Sequence, residues 1–272
     1  MRLCCGSKIF NVIVGEGQKA EDLAGPLLSE IMAVLDAGLA RTSGRGERAA
    51  DILAHLGWAH WLNQHIAQKE FGPAAERDLR RALTLDPSNV YANSMLGNWL
   101  LQTHGSFDEA LRLFDVAMKT NKQRPLVREM QLGGMIYNES PGVRPQLIRV
   151  ANQMRINSEP MSDDSKQRIL SNYSPGNSRE ELMETLSAVP PDDAWATFLW
   201  LDGQQSAASD VEAQRIRREF VHASILEIAG KSAEAIGMFR TLRDELKREA
   251  YTGRISDHVA TSIKRLSRSP GP

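Results

Sequence analysis

Leu96-Gly97, followed by Ala110, Phe114 and Ala117, is the stretch on which the fold turns. The same spelling occurs upstream as Leu56-Gly57 followed by Ala75, Leu79 and Ala82. Ala75 to Ala110 and Ala82 to Ala117 are both steps of 35 residues. A recurrence of about that length, with small residues set among large apolar ones, marks stacked helix–turn–helix units. Two antiparallel helices approach closely only where a small side chain on one admits a large one on the other. Gly57 and Gly97 are the notches expected on the first helix of each unit, with Ala75/Ala82 and Ala110/Ala117 on the second. Leu79 and Phe114 are the knobs. One unit cannot bury its apolar face alone, so neighbours must stack.

Local punctuation agrees. Asp86-Pro87 reads as a helix start, with Asp capping free amides and Pro at a first helical position. His104-Gly105 ends that helix, with Gly taking the left-handed conformation. Ser106-Phe107-Asp108-Glu109 has capping-box spacing and opens the next. Gly97 to Ala110 is a step of 13, whereas Gly57 to Ala75 is 18. The extra residues lengthen the first helix to about Glu70, before Phe71-Gly72-Pro73 turns the chain.

These residues resemble the tetratricopeptide repeat (TPR) family, well over 47–138 and less closely over 211–246. The resemblance implies an all-α fold: a right-handed superhelical stack of antiparallel helix hairpins, a TPR-like α-solenoid. A third start, Leu132-Gly133 with Tyr137, lies 36 residues beyond Gly97 in its glycine, but Ser140-Pro141-Gly142 interrupts the chain before a second helix can form. Pro145 opens a helix from Gln146 to about Arg155, and 157–178 reads as a long connection or a pair of short turns. Ser178 to Glu181 has capping-box spacing, Pro190-Pro191 breaks the chain, and Ser209 to Glu212 opens a long helix. Ala223, Gly230, Ala235, Phe239 and Leu242 read as a degenerate further repeat, and a last helix runs from about Asp257 to Leu266. Four regions result: an N-terminal extension and helix (1–46), TPR-like repeats (47–138), an irregular linker with a short helix (139–177), and a C-terminal helical region (178–268).

Composition sets further bounds. With 33 basic and 34 acidic residues, no bulk field draws nucleic acid. No apolar run reaches the ~18 residues of a membrane-spanning helix, so no integral membrane segment is expected. The N-terminus lacks the apolar core of a secretory signal, and a cytoplasmic protein is expected. The two cysteines, Cys4 and Cys5, are adjacent, which excludes a disulfide framework. They read as reduced thiols on a loose terminus or as a site of palmitoylation; Arg2 after Met1 rules out myristoylation. Ile9–Val14 with Gly15-Glu16-Gly17-Gln18-Lys19-Ala20 after it imitates a dinucleotide-binding turn, but the chain offers no second parallel strand. A terminal arm that pairs with another protein, or the cut edge of a larger one, is the better reading.

Candidate chemistry is sparse. His55, His60 and His65 recur every five residues, about 140° apart around a helix, unlike the i, i+4 spacing of helical metal ligands. No nucleophile elbow, phosphate loop or paired-carboxylate signature is present, and neither metal nor cofactor is expected. In TPR stacks the first helices line a concave groove. Carried over, the resemblance puts Trp58, Trp61, Tyr91, Asn98, Gln102, Tyr137 and Asn138 there, aromatics and amides suited to a peptide. For Trp58 and Trp61, packing against the helix of residues 21–40 is an equal alternative. The carboxylate clamp of chaperone-binding members needs Lys, Arg and Asn where this chain has Trp58, Met95, Val127 and Gln131. The expected role is a non-enzymatic scaffold that binds a peptide or helix of a partner protein. The rival is a sensor or substrate-recruiting part of a larger regulator or enzyme whose catalytic domain lies upstream.

Overall fold

A computed structural model describes residues 18–66, 73–138, 142–203, 211–249 and 253–268. They form thirteen α-helices and one 3-10 turn, with no strand among the described residues. The all-α expectation holds. The chain divides into two compact units, Met1–Asn138 and Glu139–Pro272. Cys4-Cys5, the Ile9–Val14 stretch with Gly15–Gly17, the Phe71-Gly72 turn, Ser140-Pro141 and the Ser209-Asp210 start signal lie outside the described residues.

The first unit contains α1 (Gln18–Arg41), α2 (Gly46–Ile66), α3 (Ala74–Leu85), α4 (Val90–Gln102), α5 (Phe107–Lys119) and α6 (Arg124–Ile136). Helix α1 packs on α2, α2 pairs with α3, and α4 pairs with α5. Helix α4 also lies against α2, α3 and α6, so α2, α4 and α6 are neighbours in that order. No residue from Val90 to Gln102 is exposed. A helix surrounded on all sides needs apolar or internally bonded groups all round, and Met95, Leu96 and Leu101 are at its centre.

Both notches are real. A Cβ on Gly57 would lie 2.8 Å from Leu79 Cγ and 2.9 Å from the Ala75 carbonyl oxygen. A Cβ on Gly97 would lie 3.0 Å from the Phe114 ring and 3.3 Å from the Ala110 carbonyl oxygen. The two hairpins therefore cross at equivalent residues, with Ala75, Leu79, Ala82, Ala110, Phe114 and Ala117 fully buried. The residues that matched by spelling match in contact.

Three expectations need correction. Helix α4 begins at Val90, because Asn89 is its cap: the Asn89 Oδ1 accepts the Ala92 amide at 2.9 Å. Asp86 instead closes the turn, accepting from the Ser88 amide and hydroxyl at 3.0 and 2.8 Å. At the end of α4 the left-handed residue is His104 (φ 54°), not Gly105. In α6 the close approach falls at Gly134, whose added Cβ would meet Leu101 Cδ1 at 2.8 Å. Gly133, the expected notch, has only the Asn98 Nδ2 within reach, at 3.7 Å. The reason is topological: α6 presents its small residue back to α4, with no second helix of its own in this unit.

The second unit contains α7 (Val143–Ile156), α8 (Asp163–Leu170), the 3-10 turn Ser171–Tyr173, α9 (Arg179–Leu186), α10 (Pro191–Asp202), α11 (Val211–Ile228), α12 (Ser232–Arg248) and α13 (Arg254–Leu266). Helix α7 packs on α9 and α10, α10 on α8 and α11, α11 on α9 and α12, and α12 on α13. Residues 157–178 are thus neither a long connection nor only turns, since α8 lies within them. Ser162 caps it by accepting the Ser165 amide at 3.2 Å, and Ile169, Leu170 and Tyr173 are buried at its end. The capping box at Ser178 and Glu181 forms in both directions. The α11–α12 pair buries Ala223, Ala235, Phe239 and Leu242 completely, and Gly230 makes the turn at φ 75°. Buried carboxylates tie this unit together. Asp202 accepts from Arg217 and Arg218, and Glu227 accepts from Arg179 of α9 and Arg265 of α13.

Candidate functional site

The seven residues carried over from the resemblance fall into three separate settings in the first unit. Trp58 and Trp61 are stacked on each other with ring centroids 4.4 Å apart. Trp61 is 1% exposed and Trp58 7%, so both are packing groups in this chain. His65 stacks on Trp61 at 5.1 Å.

The amides form the second setting. Asn98 is 3% exposed; its Nδ2 donates to the Met130 carbonyl at 2.7 Å, and its Oδ1 accepts from Gln102 Nε2 at 3.0 Å. Asn138 Nδ2 donates to the Leu101 carbonyl at 2.5 Å. Asn98 and Asn138 brace α4 against the α6 segment, and Gln102 holds the Asn98 amide in place. A buried amide of this kind is costly unless bonded, so these side chains hold the stack together.

The tyrosines remain. Tyr91 is half-buried, with its ring 4.8 Å from that of His55. Tyr137 stands at the end of α6 and is 60% exposed. The histidines do not converge: His55 Nδ1 lies 2.7 Å from the Asp51 carbonyl and His60 Nδ1 2.9 Å from Asp78 Oδ2.

Tyr91 borders a cleft of about 680 Å³ where the start of α2, the α3–α4 turn and the α5–α6 turn meet. Its acidic side takes Glu47 and Asp51 from α2 with Asp86 from the α3–α4 turn, and its basic side takes Lys119 and Lys122 from the end of α5 and the turn after it. Asn89 is also in the lining, 4% exposed, and does two tasks with one amide. Its Oδ1 caps α4, and its Nδ2 donates to Asp51 Oδ1 at 2.6 Å, which pins α2 to the start of α4. The α6 N-terminus also opens here. Gln123 precedes it at φ 50° and gives no side-chain cap, so the positive end of that helix adds to the lysine wall. Glu47, Lys119 and Lys122 are exposed and form no ion pair with the described residues.

A second cleft, of about 570 Å³, is internally matched. Arg80 bridges Glu109 at 2.7 and 3.2 Å and Glu76 at 2.7 Å, beside Trp99. The hydrogen bonds it donates to Glu109 and then to Glu76 hold the guanidinium pKa above its ordinary value. That charge is already satisfied.

Sequence reading missed the cleft. Asn89 was legible as a cap residue directly before an apolar run. Lys119 and Lys122 gave no separate signal, since lysines near a helix C-terminus suit the helix dipole anyway. Among the described residues, no three His, Cys, Asp or Glu side chains are grouped to hold a metal ion. None of the described helices is long and apolar enough to cross a membrane. Compared with protein-family models, curated proteins and solved structures, the chain matches none.

Proposed function

We propose that this protein is a non-enzymatic interaction scaffold whose first unit is a TPR-like module binding a peptide or helix of a partner protein. The supporting observation is the repeated crossing. Gly57 meets Ala75 and Leu79 as Gly97 meets Ala110 and Phe114, and α2, α4 and α6 lie side by side. Repeating hairpins with their first helices adjacent form extended surfaces that take up peptide segments. In this proposal the hairpins of the first unit stack with a right-handed twist. Because Asn98 and Asn138 tie α4 to the α6 segment and Gln102 is bonded to Asn98, the partner face in this proposal is the rim bearing Tyr91 and the charged cleft.

The test uses the full chain as bait in native cell extract, with hydrogen exchange then measured on the chain with each purified captured protein. Slowed exchange around Glu47–Asp51, Tyr91 and Lys119–Gln123 is expected. Protection confined to the second unit, or no specifically captured protein, refutes the proposal.

A further inference from the structure

The geometry points to a partner segment of split charge in the cleft between α2 and the α5–α6 turn. Its acidic side chains face Lys119 and Lys122, and its basic ones face Glu47 and Asp51. This inference rests on the interaction-module reading and names the chemistry of the partner.

Three observations carry it. The cleft draws its two signs from different elements: Glu47 and Asp51 come from α2 and Asp86 from the α3–α4 turn, whereas Lys119 and Lys122 come from the end of α5 and the turn after it. The two walls leave each other unneutralised, because neither lysine nor Glu47 has an ion-pair partner among the described residues. The N-terminus of α6, lacking a side-chain cap, strengthens the positive wall. A segment of one sign meets attraction at one wall and repulsion at the other. A segment carrying both signs, in the matching order, is attracted by both.

Asn89 makes the cleft a defined shape. It is buried and bonded to both Ala92 and Asp51, so the floor is fixed before a partner arrives. Tyr91 at the rim offers a ring for an apolar residue between the two charges. The volume of about 680 Å³ holds a few side chains, not a folded domain.

Three labelled peptides of equal length test this by fluorescence polarisation with the full chain: one with an acidic and a basic block, one wholly acidic and one wholly basic. The split peptide is expected to bind about tenfold more tightly than either other, and more weakly as salt rises. Lys119→Glu with Lys122→Glu, and separately Glu47→Lys, should each weaken it about tenfold with helix content intact and only the small fall in melting temperature that reversed helix-end charges cause. Equal binding of the three peptides, or unchanged affinity in both variants, overturns the inference. Undiminished capture of a native partner by the charge-reversed chain also overturns it, and leaves the module reading standing. Failure to capture any partner at all overturns both.

Discussion

Replacing glycine by alanine at four helical positions should separate close packing from helix propensity. In a helix interior Ala is favoured over Gly by about 1 kcal/mol. Inserting a methyl into a filled contact costs about 1–3 kcal/mol. At Gly57 the new Cβ would meet Leu79 Cγ at 2.8 Å and the Ala75 carbonyl at 2.9 Å. One of these is backbone, so α3 must move, and packing wins: a net loss of about 2 kcal/mol is expected. At Gly97 the nearest atoms are the Phe114 ring at 3.0 Å, which yields by tens of degrees at most within a filled core. The two effects nearly cancel there, leaving a loss between about 0 and 1 kcal/mol. At Gly133 the nearest neighbour is 3.7 Å away and at Gly237 there is none within 4 Å, so propensity wins and each variant gains about 0.5–1 kcal/mol. Urea unfolding monitored by far-UV circular dichroism and tryptophan fluorescence measures all four. If Gly57→Ala proves as stable as Gly133→Ala, the hairpin crossing is not where stability depends on the missing side chain, and the reasoning fails.

Further variants probe the other supports. Asn98→Ala removes the amide that joins Gln102 to the Met130 carbonyl, so the chain should lose about 1–2 kcal/mol; a melting temperature equal to wild type would deny the brace. Glu227→Ala leaves Arg179 and Arg265, both about a third exposed, without their shared carboxylate, a loss of about 1–2 kcal/mol in the second unit. A thermal shift too small to measure would show that those arginines find other partners. The Glu181 carboxyl is held down to about 2, by Arg144 first and then by the Ser178 backbone and hydroxyl donors. Because the folded group releases its proton more readily than the unfolded one, its stabilisation is present above the ordinary carboxylate range and disappears as pH falls toward about 2. Glu181→Gln should therefore be less stable than wild type near neutrality, with the gap closing as acid is added; a gap constant with pH refutes the assignment.

Much of the first unit could be read without coordinates. Alanines at 35-residue recurrence, with Leu-Gly pairs 40 residues apart, encode which faces of successive helices meet, because a missing side chain permits the observed approach of Gly57 to Leu79 and of Gly97 to Phe114. Helix α8 was hidden, since Asp163–Leu170 is polar until its last residues and gains its stability from Ile169, Leu170 and Tyr173 buried beyond the sequence-local pattern. The start of α4 was misplaced because Asp86, Ser88 and Asn89 can all cap a helix, and only the folded turn decides that Asn89 does so.

For the site the division is sharper. The chain's own residues determined that amides and aromatics crowd the first helices. Only tertiary structure decided that Asn98 and Asn138 bond across to the neighbouring segment, that Gln102 is bonded to Asn98, and that the tryptophans are buried. Helical periodicity states which residues share a face, but not how much of that face the next helix covers. The cleft is the same case in reverse: Glu47 and Lys122 are far apart along the chain, and two short turns bring them to one rim.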